Sequence, residues 1–139
     1  MNIENEQQAA LGLLIISAQR GQLKISDAQI EAILRIVIFC KKFTGEDINQ
    51  LFKDAYSMIL KKERNEFIVE AASFIEESFK ESLFAMCCEA AFSLRKWEDS
   101  DSDTLATIGI AMQVPSENIK NIVRTYIIRS LWNIDVTES

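Results

Sequence analysis

Apolar residues recur along most of this chain at helical rather than alternating spacing. Ile48, Leu51, Phe52, Ala55 and Ile59 fall at i, i+3, i+4, i+7 and i+11, one face of a helix. Ile68, Ala71, Ala72, Ile75 and Phe79 repeat that spacing, with Asn65 placed as the N-cap of a fourth helix. Before them, residues 6–18 carry Leu11, Leu14, Ile15 and Ala18, and Arg20-Gly21-Gln22 breaks the run. A second helix starts at Ser26, where Ser26-Asp27-Ala28-Gln29 reads as a capping box. Its Ile30, Ile33, Leu34, Ile36, Val37, Ile38 and Phe39 leave almost no polar face, which predicts a central, buried helix. Thr44-Gly45-Glu46-Asp47 caps the third.

Residues 81–96 are again apolar nearly all round and predict a second central helix. A sixth helix starts among the acids near residue 99 and carries Leu105, Ile108, Ala111 and Met112. Pro115 suits the start of a seventh, with Ile119, Ile122, Val123, Tyr126, Ile127 and Leu131, and Trp132 is expected to close one end of the core. The reading is a single all-α domain over residues 1–139, a compact bundle of about seven helices. The 4 glycines and 1 proline are too few for the turns of an all-β fold.

The pattern also repeats internally. Phe43-Thr44-Gly45-Glu46-Asp47-Ile48 aligns with Val114-Pro115-Ser116-Glu117-Asn118-Ile119: an apolar residue, a short cap, acids in the first turn, then an apolar stripe. Each follows a helix, a polar break and a shorter apolar helix. Two copies of helix–break–helix–break–helix, joined by the fourth helix, predict a pseudo-duplicated bundle rather than a solenoid.

This layout resembles the TerB-like family of tellurite-resistance operons, which is similar in size, all-helical and built from a duplicated unit. The family's Asp-Gly turn is replaced by Arg20-Gly21 in the first copy and by Leu94-Arg95 in the second, where Trp97 takes the apolar position and Asp101 that of the family's Glu. Gln29 stands at the corresponding Glu position of the first copy. The resemblance implies a cytoplasmic stress-response module that acts through protein partners, with peripheral membrane association compatible. Its acidic metal site has lost most of its acids here.

Charge and residue chemistry narrow the function further. The net charge of −6 is the wrong sign for a phosphate backbone, so nucleic acid is excluded as a partner. Lys41, Lys42, Lys61, Lys62 and Arg64 stand among acids and read as solvated helix ends. Hydrophobic residues at 48% and charged ones at 26% are ordinary for a soluble domain, and no apolar stretch reaches the ~20 residues of a membrane span. Cys40, Cys87 and Cys88 are odd in number, which suggests a reducing compartment; they form no CxxC and read as three buried thiols, with no cation beside Cys87 or Cys88 to activate them.

The chain has no histidine and no phosphate-binding glycine loop, which removes the common catalytic triads and argues for a non-enzyme. Glu89 interrupts the apolar fifth helix and is expected to be a buried carboxylate paired with Arg35. Asp99, Asp101 and Asp103 form D-x-D-x-D, but Thr104 and Ile110 occupy the positions where a Ca²⁺ loop needs Gly and Glu. Two readings of the three aspartates stand: a looser site for a divalent cation such as Ca²⁺, or capping of the sixth helix. Trp97 and Glu98 beside them are candidate interface residues, Trp97 alternatively a core plug. The function alternative to the TerB-like module is a toxin-neutralising immunity protein, a small acidic helical antagonist.

Overall fold

Asn5 and Gln8 start the first helix: Asn5 Oδ1 accepts from the Gln8 amide at 2.9 Å, and Gln8 Oε1 accepts from the Glu4 amide at 2.8 Å. From Gln8 onward every residue of α1 (Glu6–Gln19) is buried. The structure is a computed structural model that describes residues 2–19, 24–93 and 98–134. Its described residues form seven α-helices and two short 3₁₀ turns, with no strand.

The other helices are α2 (Asp27–Val37), α3 (Ile48–Lys61), α4 (Arg64–Ala72), α5 (Lys80–Phe92), α6 (Asp99–Ala111) and α7 (Ser116–Ser130). The 3₁₀ turns are Lys41–Phe43 and Glu77–Phe79. α1 is the axis of the bundle. It packs most heavily on α3 and α5, and α4, α2 and α6 cover the rest of it. Gly12 allows α4 to come close, because a Cβ there would lie 2.4 Å from Cζ of Phe67. α5 is the second buried helix, with Leu83, Phe84, Cys87, Cys88, Ala90, Ala91 and Phe92 inside. α7 packs on α5 and α6, and α4 bridges α1 and α6.

Four expectations are corrected. α2 is peripheral rather than central: only Ala32, Ile33 and Val37 are buried, because α2 lies chiefly on α1 and α5 and presents its other side to solvent. Its last turn leaves Ile38 and Phe39 outside, Phe39 at 91% exposure. Trp132 lies just past the end of α7 and is 93% exposed, so it closes no core. Glu63, not Asn65, caps α4, its carboxylate accepting from the Glu66 amide at 2.8 Å. α4 also ends sooner than its stripe, at Ala72, and a turn carries Ile75 into the core.

The capping box of α2 forms as expected, Ser26 Oγ accepting from the Gln29 amide at 3.2 Å and Gln29 Oε1 from the Ser26 amide at 2.7 Å. Gln29 Nε2 also donates to the Ala18 carbonyl at 2.6 Å, which fixes the start of α2 against the end of α1. The break at Arg20-Gly21-Gln22 lies outside the described residues, as do Leu94-Arg95 and the expected end of the fifth helix.

One polar cluster ties segments far apart in sequence. Lys42 Nζ pairs with Glu6 at 2.9 Å and with Glu76, and lies 5.4 Å from the centre of the Phe79 ring. Glu6 accepts from the Glu76 amide at 2.7 Å, and Gln7 donates to the Lys42 carbonyl at 3.0 Å. This clasp holds the first 3₁₀ turn, the start of α1 and the entry to α5 together.

Candidate functional site

Ser82, Met86 and Glu89 of α5 and Ser93 just past its end are spaced by four, three and four residues, which places them on one face. That face is the floor of a trough. One wall is the end of α2 and the first 3₁₀ turn, with Arg35, Ile36, Phe39 and Lys41, and Phe79 closes it below; this half encloses about 550 Å³. The other wall is the second half of α7, with Tyr126, Arg129 and Ser130, and this half encloses about 280 Å³. Glu89 lines both halves.

Packing between α5 and α7 sets the second wall. Phe92 and Tyr126 stack with ring centres 6.2 Å apart and planes 13° from parallel. Asn133 Nδ2 donates to the Phe92 carbonyl at 3.0 Å and holds the chain after α7 over the end of α5. Partial burial, and next the charge of Glu89, push the Tyr126 phenol above its ordinary value.

Glu89 is therefore not the buried carboxylate expected. It is exposed, because it lies on the outward stripe of α5. Arg35 bonds instead to Glu31 one turn earlier on α2, at 2.6 Å, with both side chains mostly in solvent.

The acidic segment is split by its helix. Asp99, Asp101 and Asp103 are successive alternate residues of α6, so Asp101 points about 200° away from Asp99. Asp99, Asp103 and Glu98 are exposed, while Asp101 is 3% exposed. Asp101 Oδ2 accepts from the Glu98 amide at 3.0 Å, a capping interaction at the start of α6. Among the described residues no three Asp, Glu, Cys or His side chains come together as a metal-ligand set. Trp97 lies outside the described residues.

The thiols divide by position. Cys87 and Cys88 are fully buried, whereas Cys40 is only half-buried and lines the trough, against the expectation that all three are inside. Burial pushes the Cys87 thiol up to about 12, with a hydrogen bond to Ser17 pulling weakly the other way. Burial, and then the neighbouring Cys87, raise Cys88 as well. Neither thiol is available as a nucleophile at neutral pH.

Sequence reasoning missed Phe39, Tyr126, Arg129 and Asn133. Phe39 had a local signal, an aromatic residue just past the end of a helix and followed by Cys40-Lys41-Lys42. The α7 residues had none, since only packing on α5 makes them a wall. The trough offers an apolar surface with both signs of charge, suited to seating a polypeptide surface by burial and charge-assisted hydrogen bonds. Comparison with known proteins gave no match: no family model, no curated protein and no solved structure matches the chain. No described helix is long and apolar enough to cross a membrane.

Proposed function

We propose that the chain is a non-catalytic helical binding module that seats a protein partner in the trough over α5. The observation that carries this reading is the trough itself, with Phe39 91% exposed at its rim and Glu89 between its two halves. An exposed aromatic residue beside a groove supplies the anchor on which interface affinity concentrates. The narrower reading, a TerB-like stress-response module, is supported by the order of elements: α1, α2 and α3 precede α4, and α5, α6 and α7 follow it with similar lengths. Packing is consistent with it, since α1 lies on α2 and α3 as α5 lies on α6 and α7.

A second reading, a toxin-neutralising antagonist, is favoured by the exposed Glu98, Asp99 and Asp103 on a chain of net charge −6. Those acids would face a basic cleft.

Photo-cross-linking in the native cells separates the two. A cross-linker at Phe39 is expected to trap one discrete partner, and one at exposed Val69 on α4 to trap none. A partner trapped at Asp103 and not at Phe39 would favour the antagonist reading. No discrete partner at Phe39 would end the trough reading.

A further inference from the structure

α7 folds back along α6 after a four-residue connection, Met112 to Pro115. The two helices touch closely at Gly109, where a Cβ would stand 2.7 Å from Ile119 Cδ1. Beyond that contact the small side chain of Ala106 leaves a groove of about 320 Å³. Leu105 forms the buried floor, and Ile119, Val123 and Ile127 line one side at spacings of four. Ser102, Lys120 and Arg124 complete the lining, and no acidic side chain among the described residues does so.

These two cations, like Lys24, Lys41, Lys53, Lys61 and Arg129, are not matched by an acid among the described residues, and what sets them apart is their place on the rim of an apolar groove. Lys42, Lys62, Lys80 and Arg35 each pair with a glutamate. Lys120 and Arg124 have no ion pair among the described residues, although acids outnumber bases by 21 to 15. An apolar strip rimmed by two unmatched cations is complementary to a ligand with an apolar face and a negative edge. Its length points to a helix. Residues 119–127 span about 12 Å, and exposed Ile128 and Leu131 carry the apolar run to about 18 Å, near three helical turns.

We propose that the groove between α6 and α7 seats an acidic amphipathic helix from a partner protein. Apolar residues at i, i+4 and i+7 of that helix would lie along Val123 and Ile127, and carboxylates on its edge would reach Lys120 and Arg124. The groove shares no lining residue with the trough over α5, so it stands independently of the function proposed there.

The test uses the full chain, isotope-labelled, and designed helical peptides of about four turns. One peptide carries leucines on one face and glutamates at its edges; its twin carries lysines in place of the glutamates. Amide chemical shifts locate binding residue by residue even when affinity is low. The glutamate peptide is expected to move resonances of residues 102–128, and the lysine peptide to leave them in place. Lys120→Glu/Arg124→Glu should reverse that preference, each rim pair changing affinity enough to give about a fivefold loss for the glutamate peptide. A gain of binding by the lysine peptide also shows that the variant is folded. Equal response to both peptides, or none on α6 and α7, overturns the proposal. Response to anionic vesicles in place of the peptide, or to protein concentration alone, overturns it in favour of a lipid surface or a second copy.

Discussion

Gly12 sits near the middle of α1, where two effects of opposite sign meet. In an exposed helix, Gly12→Ala would add about 1 kcal/mol of stability, because alanine loses less backbone freedom on folding. Here the new Cβ would lie 2.4 Å from Cζ and 2.6 Å from Cε1 of Phe67. Carbon atoms pack best at about 3.5–4.0 Å, so the overlap exceeds about 1 Å. Phe67 is 1% exposed and α1 is enclosed on all sides, which leaves neither partner room to withdraw. Overpacking of this kind costs typically 1–3 kcal/mol and occasionally more, and expulsion of the ring is bounded by the roughly 3–5 kcal/mol of a Phe→Ala truncation. The steric term wins: an overlap of more than about 1 Å places the cost toward the upper part of those ranges, roughly 2–4 kcal/mol, and subtracting the roughly 1 kcal/mol of helix propensity leaves Gly12→Ala destabilised by about 1–3 kcal/mol net, read by urea denaturation. The midpoint of thermal unfolding should fall by about 3 °C or more for each kcal/mol. Phe67→Leu removes the outer ring atoms, so the Gly12→Ala/Phe67→Leu pair should be more stable than the sum of the single effects by about 1 kcal/mol or more. A Gly12→Ala protein as stable as the parent would refute the close approach of α4 to α1.

Lys42→Met should lower the melting temperature at pH 7 by opening the clasp between α1, the first 3₁₀ turn and the entry to α5. The bond to Lys42 holds Glu76 below its ordinary value of 4.5, so this contribution is complete above that pH and fades as pH falls through the lower folded value. Lys42, raised above 10.5 first by Glu76 and then by Glu6, keeps its charge throughout that range, and a melting gap constant from pH 7 to pH 2 would contradict the assignment. For the thiols, an aromatic disulfide reagent at pH 8 should modify Cys40 quickly, and Cys87 and Cys88 only at the rate of unfolding. Three fast thiols would show that α5 is not buried against α1.

The stripes of α3 and the capping box of α2 were legible because they are local: spacing and cap chemistry decide them without reference to the rest of the chain. Which helix becomes the axis is not local. Residues 9–16 of α1, Ala-Ala-Leu-Gly-Leu-Leu-Ile-Ile, are apolar on every side, yet a reading that follows one stripe passes over them. α2 also carries many apolar residues, but Asp27, Glu31 and Arg35 recur every four residues as a polar face, and that face meets solvent because α1 and α5 cover only the other side. The aspartates were read both as ligands and as caps, and their helical phase puts Asp101 opposite its neighbours and onto a backbone amide. The trough over α5 draws on residues 35–42, 79–93 and 126–133, three stretches that no spacing rule connects.

The enclosure of α1 also bears on how the chain is made. Its main partners include α5, which begins at Lys80, about 60 residues after α1 ends at Gln19. At a synthesis rate of roughly 5–20 residues per second, about 3–12 s pass after α1 is made before the first residues of α5 are added to the chain. The most hydrophobic of these helices is therefore made before the two that cover most of it, and α5 arrives well after α3. In the cell, that interval makes the nascent chain a client for whatever shields exposed apolar surface at the ribosome.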